Sequence, residues 1–263
     1  MLNSLFTSAT GMKAQQRYVD NISNNLANVN TTGFKASRID FQDLLYHTLV
    51  APGTETVQGY VSPTGLQIGT GVREVATTKI FRQGTPQNTG NQYDMAIEGH
   101  GFFQVTDPVT GETLYTRDGS FRPNAQGQLV TAGGYLLSPQ ITLPQGSMNV
   151  RVGNDGAVQV VASPGGTPQV VGQIQLVRFL NPAGLLNLGE NLYAETAASG
   201  APTTGVPDST GFGRLLQHHL EGSNVDVVSE MVNLIIAQRA YEINSRGIRV
   251  SDSMLEQANN IAP

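Results

Sequence analysis

The chain has 263 residues, 39% of them hydrophobic and 13% charged, with 30 glycines, no cysteine and a formal net charge of −5. Charge is about half the ~25% usual in soluble domains, so uncharged polar groups carry much of the solubility; such surfaces repel one another weakly and suit dense packing among identical copies, as they also suit an ordinary β-rich domain. The acidic balance and the lack of basic runs argue against nucleic-acid or anionic-membrane partners, the missing cysteines exclude disulfides and thiolate metal sites, and no stretch approaches the ~18 apolar residues of a membrane span.

Residues Leu2 to Val29 predict one amphipathic helix. Leu5, Met12, Val19 and Leu26 recur every seven residues, with Leu2, Ala9 and Ile22 in the neighbouring stripe. Gly11 interrupts the pattern at a cost of roughly 1 kcal/mol against Ala. Asn30 and Gly33 supply the stop, because both tolerate the left-handed backbone that ends helices.

Residues 36–76 predict an extended connector. Phe41, Leu44 and Leu45 give it a short helical or extended anchor, while in the stretch that follows Pro52, Gly53, Gly59, Pro63 and Gly65 exclude a helix. Irregular stretches of this length are usually functional or disordered.

From about Thr77 to Leu220 the signals are β. Short apolar runs, such as Phe102 to Val105, Val158 to Val161 and Ile174 to Val177, alternate with turn pairs that include Asp118-Gly119, Asp155-Gly156 and Gly165-Gly166. They predict an antiparallel sandwich or barrel-like body. Arg117-Asp118-Gly119-Ser120 reads as a hairpin tip.

A second helix is predicted over Asp226 to Ile261. Leu234, Tyr241, Ile248 and Leu255 recur every seven residues, and Val227, Met231 and Ala237 widen the face. Asp226 and Glu230 suit its N-terminal dipole, and Gly247 marks a weak point. Heptads this long argue for a coiled coil. Polar Gln16, Ser23, Asn244 and Ser251 interrupt the stripes, which suits burial on several sides, including by other copies. A pair of core helices inside one globular protein remains open.

The expected fold class is α+β: paired long N- and C-terminal helices forming a coiled coil, an extended connector and an inserted, mainly antiparallel β domain. The expected domains are 1–35 with 226–263, then 36–76, then 77–225. Chemical motifs are scarce. The four histidines lack metal-ligand spacing, and there is no nucleophile elbow or phosphate loop. Asp94 with Glu98, and Asp118 with Arg122, read as surface pairs near turns. No catalytic, cofactor-binding or metal residue is expected, and the protein is not expected to be an enzyme.

Three blocks carry a family resemblance. The first is Ser8 to Met12 with Asn24-Asn25-Leu26-Ala27-Asn28-Val29-Asn30-Thr31-Thr32-Gly33-Phe34-Lys35. The second is Ala96-Ile97-Glu98-Gly99-His100-Gly101-Phe102-Phe103 with Tyr115 to Phe121. The third runs from Leu220-Glu221-Gly222-Ser223-Asn224 through Tyr241-Glu242. Together they resemble the bacterial flagellar basal-body rod and hook axial protein family, most of all its distal-rod branch.

That resemblance implies a subunit polymerising helically into a hollow, straight drive shaft that transmits motor torque to the hook and serves as an export channel. A hook or proximal-rod subunit is the alternative, followed by an extracellular β-rich binding module. The implied layers are an inner coiled coil, a middle connector and an outer β domain. Assembly residues on the inner helices would be Leu5, Met12, Val19, Ile22, Leu26, Leu234, Tyr241, Ile248 and Leu255. The rod motif itself would be Asn24, Asn25, Asn28, Asn30, Thr32, Gly33 and Phe34. Rod straightness is assigned to the connector at Pro52, Gly53, Gly59, Pro63 and Gly65. The implied partners are further copies of the chain, adjacent rod and hook proteins, the surrounding peptidoglycan-ring and outer-membrane-ring proteins and the flagellar export apparatus. The implied location is the rod crossing the periplasm, reached without a cleavable signal peptide and without cofactors.

Overall fold

Both heptad segments are helical in the computed structural model, which describes residues 2–261 except 54, 58–59, 62, 145, 147–148 and 162–166. Helix α1 spans Leu2–Ala27 and helix α2 spans Val227–Ile261. Asp226 caps α2: its Oδ1 accepts from the N–H groups of Val228 (3.0 Å) and Ser229 (3.4 Å), satisfying donors that the first helical turn leaves unpaired. The helix runs unbroken through Gly247. The chain divides into two units. One gathers Met1–Ala27, Ser37–Thr78 and Asp226–Pro263; the other gathers Asn28–Ala36 and Lys79–Val225.

In the first unit α1 and α2 pack together antiparallel. Strand Ser37–Asp43 pairs with Val72–Lys79, and Tyr46–Val50 pairs antiparallel with Leu66–Gly69. Every residue of the latter ribbon is exposed, including Tyr46, Leu49, Val50, Leu66 and Ile68. Side chains of α1 fasten these strands. Tyr18 meets Phe41 edge to face at 6.1 Å. Asn21 and Asn25 donate through Nδ2 to the carbonyl of Ser37 at 2.7 and 2.9 Å.

In the second unit the largest sheet among the described residues has nine strands, and its pairings are antiparallel. Strand Phe102–Thr106 lies at its centre, between Thr113–Thr116 on one side and both Leu136–Ser138 and Leu176–Arg178 on the other. Successive side chains on a strand point to opposite faces. Phe103 and Val105 therefore enter the main core with Met95, Ile97, Phe121, Leu137 and Ile174. Phe102 enters a separate aromatic cluster with Tyr115, Phe179 and Tyr193. A three-stranded sheet, Asn149–Val152 with Ala157–Val161 and Gln169–Gln173, supplies further core residues. The expected turn at Gly165-Gly166 lies outside the described residues.

Two expectations fail here. Asp94, read as a surface residue near Glu98, is buried and accepts from Arg122 Nη1 at 2.9 Å. The other is the hairpin tip. Strand Thr113–Thr116 pairs with Phe102–Thr106 and Leu192–Ala194, whereas Arg122–Pro123 pairs with Leu129–Val130. Residues 117–120 are thus a crossover rather than a hairpin tip. The side chain of Arg117 is buried, which a hairpin tip would not allow.

Candidate functional site

The helix pair is joined by small and polar groups. Ser4 and Ser251 hydroxyls lie 3.2 Å apart. A Cβ on Gly247 would stand 3.2 Å from Ser8 Oγ, and one on Gly11 would stand 3.0 Å from Asn244 Nδ2. At the other end Asn25 Nδ2 donates to Glu230 Oε1 at 3.0 Å. These pairs keep a constant antiparallel register along the helices, with Ala14 and Ala237 buried between them. Small side chains let two helix backbones approach closely, and several larger apolar side chains, among them Ile235, Ile236 and Ile243, are left exposed.

The predicted heptad residues flank this seam. Ile22 is buried, Leu5, Met12, Val19, Leu26, Leu234, Ile248 and Leu255 are half-buried, and Tyr241 is 43% exposed. Val19 and Tyr241 share an open groove with Gln16, Gln238 and Glu242. On the two helices the most exposed apolar groups are ones that sequence periodicity did not single out: Phe6 at 68%, Val228 at 71%, Ile235 and Ile236 at 58% and Ile243 at 68%. An adjacent isoleucine pair is the signal available beforehand, because one helix stripe cannot bury both members equally.

The connector residues Pro52, Gly53 and Pro63 are exposed and Gly65 is half-buried, whereas Gly59 lies outside the described residues. Gly65 has a steric role. A Cβ there would fall 2.5 Å from the carbonyl oxygen of Val50 and 2.6 Å from Pro52 Cδ.

The rod motif splits between the units. Its first part lies on α1, where Asn24 is exposed and Asn25 is buried; Asn25 Oδ1 accepts from Ser37 N–H at 2.9 Å. Its second part belongs to the β unit. Asn28 is half-buried there and Asn30 is exposed. Thr32 Oγ1 donates to Asp118 Oδ1 at 3.0 Å, and the Thr32 carbonyl accepts from Asn191 Nδ2 at 2.9 Å. Gly33 has φ +69°, and a Cβ on it would sit 2.6 Å from the backbone nitrogen of Asp118. A side chain at Gly33 would be strained and would collide with backbone. Phe34 is buried, with the Lys79 ammonium 4.5 Å above its ring.

The three sequence blocks meet at Glu221. Its Oε1 accepts from Lys35 Nζ and from Gly84 N–H (2.8 Å), its Oε2 from Arg117 Nη1 (3.3 Å), and its carbonyl from Gly33 N–H (2.8 Å). Lys35 also donates to the Arg82 carbonyl at 3.0 Å, and Arg117 to the Gly99 carbonyl at 2.8 Å. All three charged side chains are at most 3% exposed. Burial pulls the pKa of Lys35 and of Arg117 below the ordinary values; the attraction of Glu221 opposes this without overcoming it. Two buried cations thus share one carboxylate. Sequence reasoning did not bring these three residues together, since positions 35, 117 and 221 meet only in the folded body.

Residues 5–35 match the family described as flagella basal body rod protein. Residues 96–160 match the flagellar hook protein FlgE/F/G D1 domain, and 216–261 match the flagellar basal body rod FlgEFG protein C-terminal family. The chain is 49% identical to the flagellar basal-body rod protein FlgG of Caulobacter vibrioides over 99% of both chains.

The chain belongs to the FlgG family of flagellar basal-body rod proteins.

Two proteins of Bacillus subtilis separate the FlgG family from a related one. The chain is 39% identical to that organism's FlgG, with 99% of each chain covered, and 31% identical to its flagellar hook-basal body complex protein FlhP, with 99% of this chain and 100% of FlhP covered. The FlgG family is structural rather than enzymatic. The matched segments enclose the node: Lys35 closes the first, Arg117 lies in the second and Glu221 in the third.

Proposed function

We propose that this FlgG-family chain is the subunit of the distal rod, and that copies polymerise helically into a hollow, straight shaft which passes torque to the hook and leaves a channel for export. The observation that carries this reading is the distribution of side chains on the helix pair. The seam consumes Gly, Ala, Ser and Asn, while Val228, Met231, Val232, Ile235, Ile236 and Ile243 face outward. Burying a fully exposed side chain of this kind contributes roughly 1.5–3 kcal/mol; these are half or more exposed, so covering each contributes a corresponding fraction and six together favour association. An interface between different patches of identical copies produces a helical filament whenever its rotation does not close into a ring.

The predicted heptad residues act in the same packing, with Ile22 inside the pair and the half-buried positions at its margins. The connector, with exposed Pro52, Gly53 and Pro63 and half-buried Gly65, supplies contacts at a second radius that resist bending; the same role is proposed for Gly59, which lies outside the described residues. Adjacent rod and hook proteins bind the ends of the polymer, ring proteins of the peptidoglycan and outer membrane surround it, and the flagellar export apparatus delivers the chain unfolded.

Two variants test the reading. Wild type is induced to polymerise and examined by sedimentation and electron microscopy beside Ile235→Asp/Ile236→Asp, which keeps a soluble monomer and loses the polymer. Deletion of Val50–Ile68 leaves a polymer that is bent. Wild-type polymer yield from the double aspartate variant overturns the packing, and a straight polymer from the deletion overturns the connector's role.

A further inference from the structure

The β body holds a pocket that neither the rod motif nor the helix faces use. Its volume is about 180 Å3, and its walls include Phe81, Phe102 and Phe179, with His100, Arg117 and Arg178 as polar contributors. Phe102 and Phe179 are buried and meet edge to face at 5.8 Å. Arg117 is 3% exposed, and its guanidinium lies 5.5 Å from the centre of the Phe102 ring. Its Nη1 and Nη2 donate to Glu221 and to the Gly99 carbonyl, but its buried Nε has no hydrogen-bond partner among the described residues.

Three principles bear on such a site. Buried donors are nearly always partnered, so an orphan is a vacancy for an acceptor. Lys35 and Arg117 together carry one more charge than Glu221 returns, and a buried charge without compensation is costly. An apolar cavity of about 150 Å3 accommodates one benzene ring, and aromatic edges present positive potential to an anion.

We propose that this pocket binds a single carboxylate carried on an apolar stem, the stem against the phenylalanine walls and the carboxylate against Arg117 and Arg178. A doubly charged phosphate fits less well, because the phenylalanine walls offer no donors to repay its larger desolvation cost. The carboxylate is either that of a free small acid or an acidic side chain of a neighbouring copy in the polymer.

The test is 15N NMR of the full-length chain, following the Arg117 Nε–H resonance at fixed ionic strength. Benzoate is the probe and benzyl alcohol the neutral control. Arg178 is exposed, so Arg178→Gln leaves the core spectrum intact. Benzoate shifts the resonance saturably, benzyl alcohol does not, and Arg178→Gln weakens benzoate binding roughly two- to fivefold, the size of an exposed charge contact. Equal shifts with both probes, a benzoate shift that never saturates, or unchanged affinity in Arg178→Gln each overturn the proposal. The sedimented polymer distinguishes the sources. A resonance already shifted and indifferent to benzoate assigns the carboxylate to a neighbouring copy; one at its free-chain position and still responsive assigns it to a free acid.

Discussion

Replacing Glu221 by glutamine strands two buried cations without changing the shape of the side chain. Lys35 Nζ and Arg117 Nη1 both donate to this carboxylate, and all three groups are essentially inaccessible to water. Removing one partner of a buried ion pair costs about 3–5 kcal/mol, since the remaining charge has neither water nor a counter-ion. For a unit the size of the β body, each kcal/mol moves Tm by roughly 2–4 °C. Scanning calorimetry of Glu221→Gln is therefore expected to show a Tm lower by roughly 6–20 °C.

The sign of the second substitution is more diagnostic. Lys35→Met on the Glu221→Gln background removes one stranded cation, so the double variant is more stable than Glu221→Gln alone. The pH dependence follows from Lys35. Its folded pKa lies below the ordinary value, chiefly through burial, whereas the unfolded chain keeps that proton until about pH 10.4. Between the two values the unfolded state binds more protons, so stability rises with pH. Losing Glu221 removes the attraction that holds the proton on Lys35. The deficit of Glu221→Gln therefore narrows as pH rises from 7 towards 10. A loss under about 1 kcal/mol, or additive losses in the double variant, would refute the node as a charge cluster.

Other expectations can be checked with the same protein. In Gly33→Ala the new Cβ meets the Asp118 backbone at a positive φ, so the β body loses about 1–3 kcal/mol, measured by urea unfolding. Gly65→Val drives atoms into the carbonyl of Val50, disrupting the Tyr46–Val50 and Leu66–Gly69 ribbon and bending the polymer seen by electron microscopy, while the calorimetric Tm of the β body stays unchanged. Hydrogen exchange on the dilute monomer is fast in α1 and α2 and slow in Phe102–Thr106. Slow exchange in both helices would show that they need no neighbouring copies.

Sequence periodicity located both helices, because a seven-residue spacing such as Leu5, Met12, Val19 and Leu26 identifies residues that share a face whatever covers that face. It could not identify the partner of each face. The stripes of larger side chains were expected to be the pairing surface; Ile22 is buried and most of the others flank the seam, while the closest approaches fall at Gly11 with Asn244 and at Gly247 with Ser8. Gly11 and Gly247 looked like interruptions, whereas both sit at close approaches. The β body was legible from its turns and short apolar runs, though Asp118-Gly119 misled, since turn chemistry says that the chain bends and not which strands it joins. The charge node was hidden by separation in sequence. Its one visible signal was that charged residues are scarce, so Lys35 beside Gly33 and Phe34, and Glu221 between Leu220 and Gly222, stood out from their surroundings.

The small-residue seam bears on when the helices form. An isolated helix pair gains stability from the apolar area it buries, and Gly, Ala, Ser and Asn bury little. Ordering costs on the order of 1–2 kcal/mol per residue for backbone alone, and α1 and α2 comprise 26 and 35 residues. Helix hydrogen bonds offset only part of this, so the balance depends on the outward apolar groups. Val228, Ile235, Ile236 and Ile243 contribute only when something covers them. The side chains that stabilise the helices are thus largely the ones that recruit a neighbour, which couples folding of the ends to polymerisation. The ends of the dilute chain are therefore expected to be less protected than the same segments in the shaft, which is the outcome the exchange experiment reads.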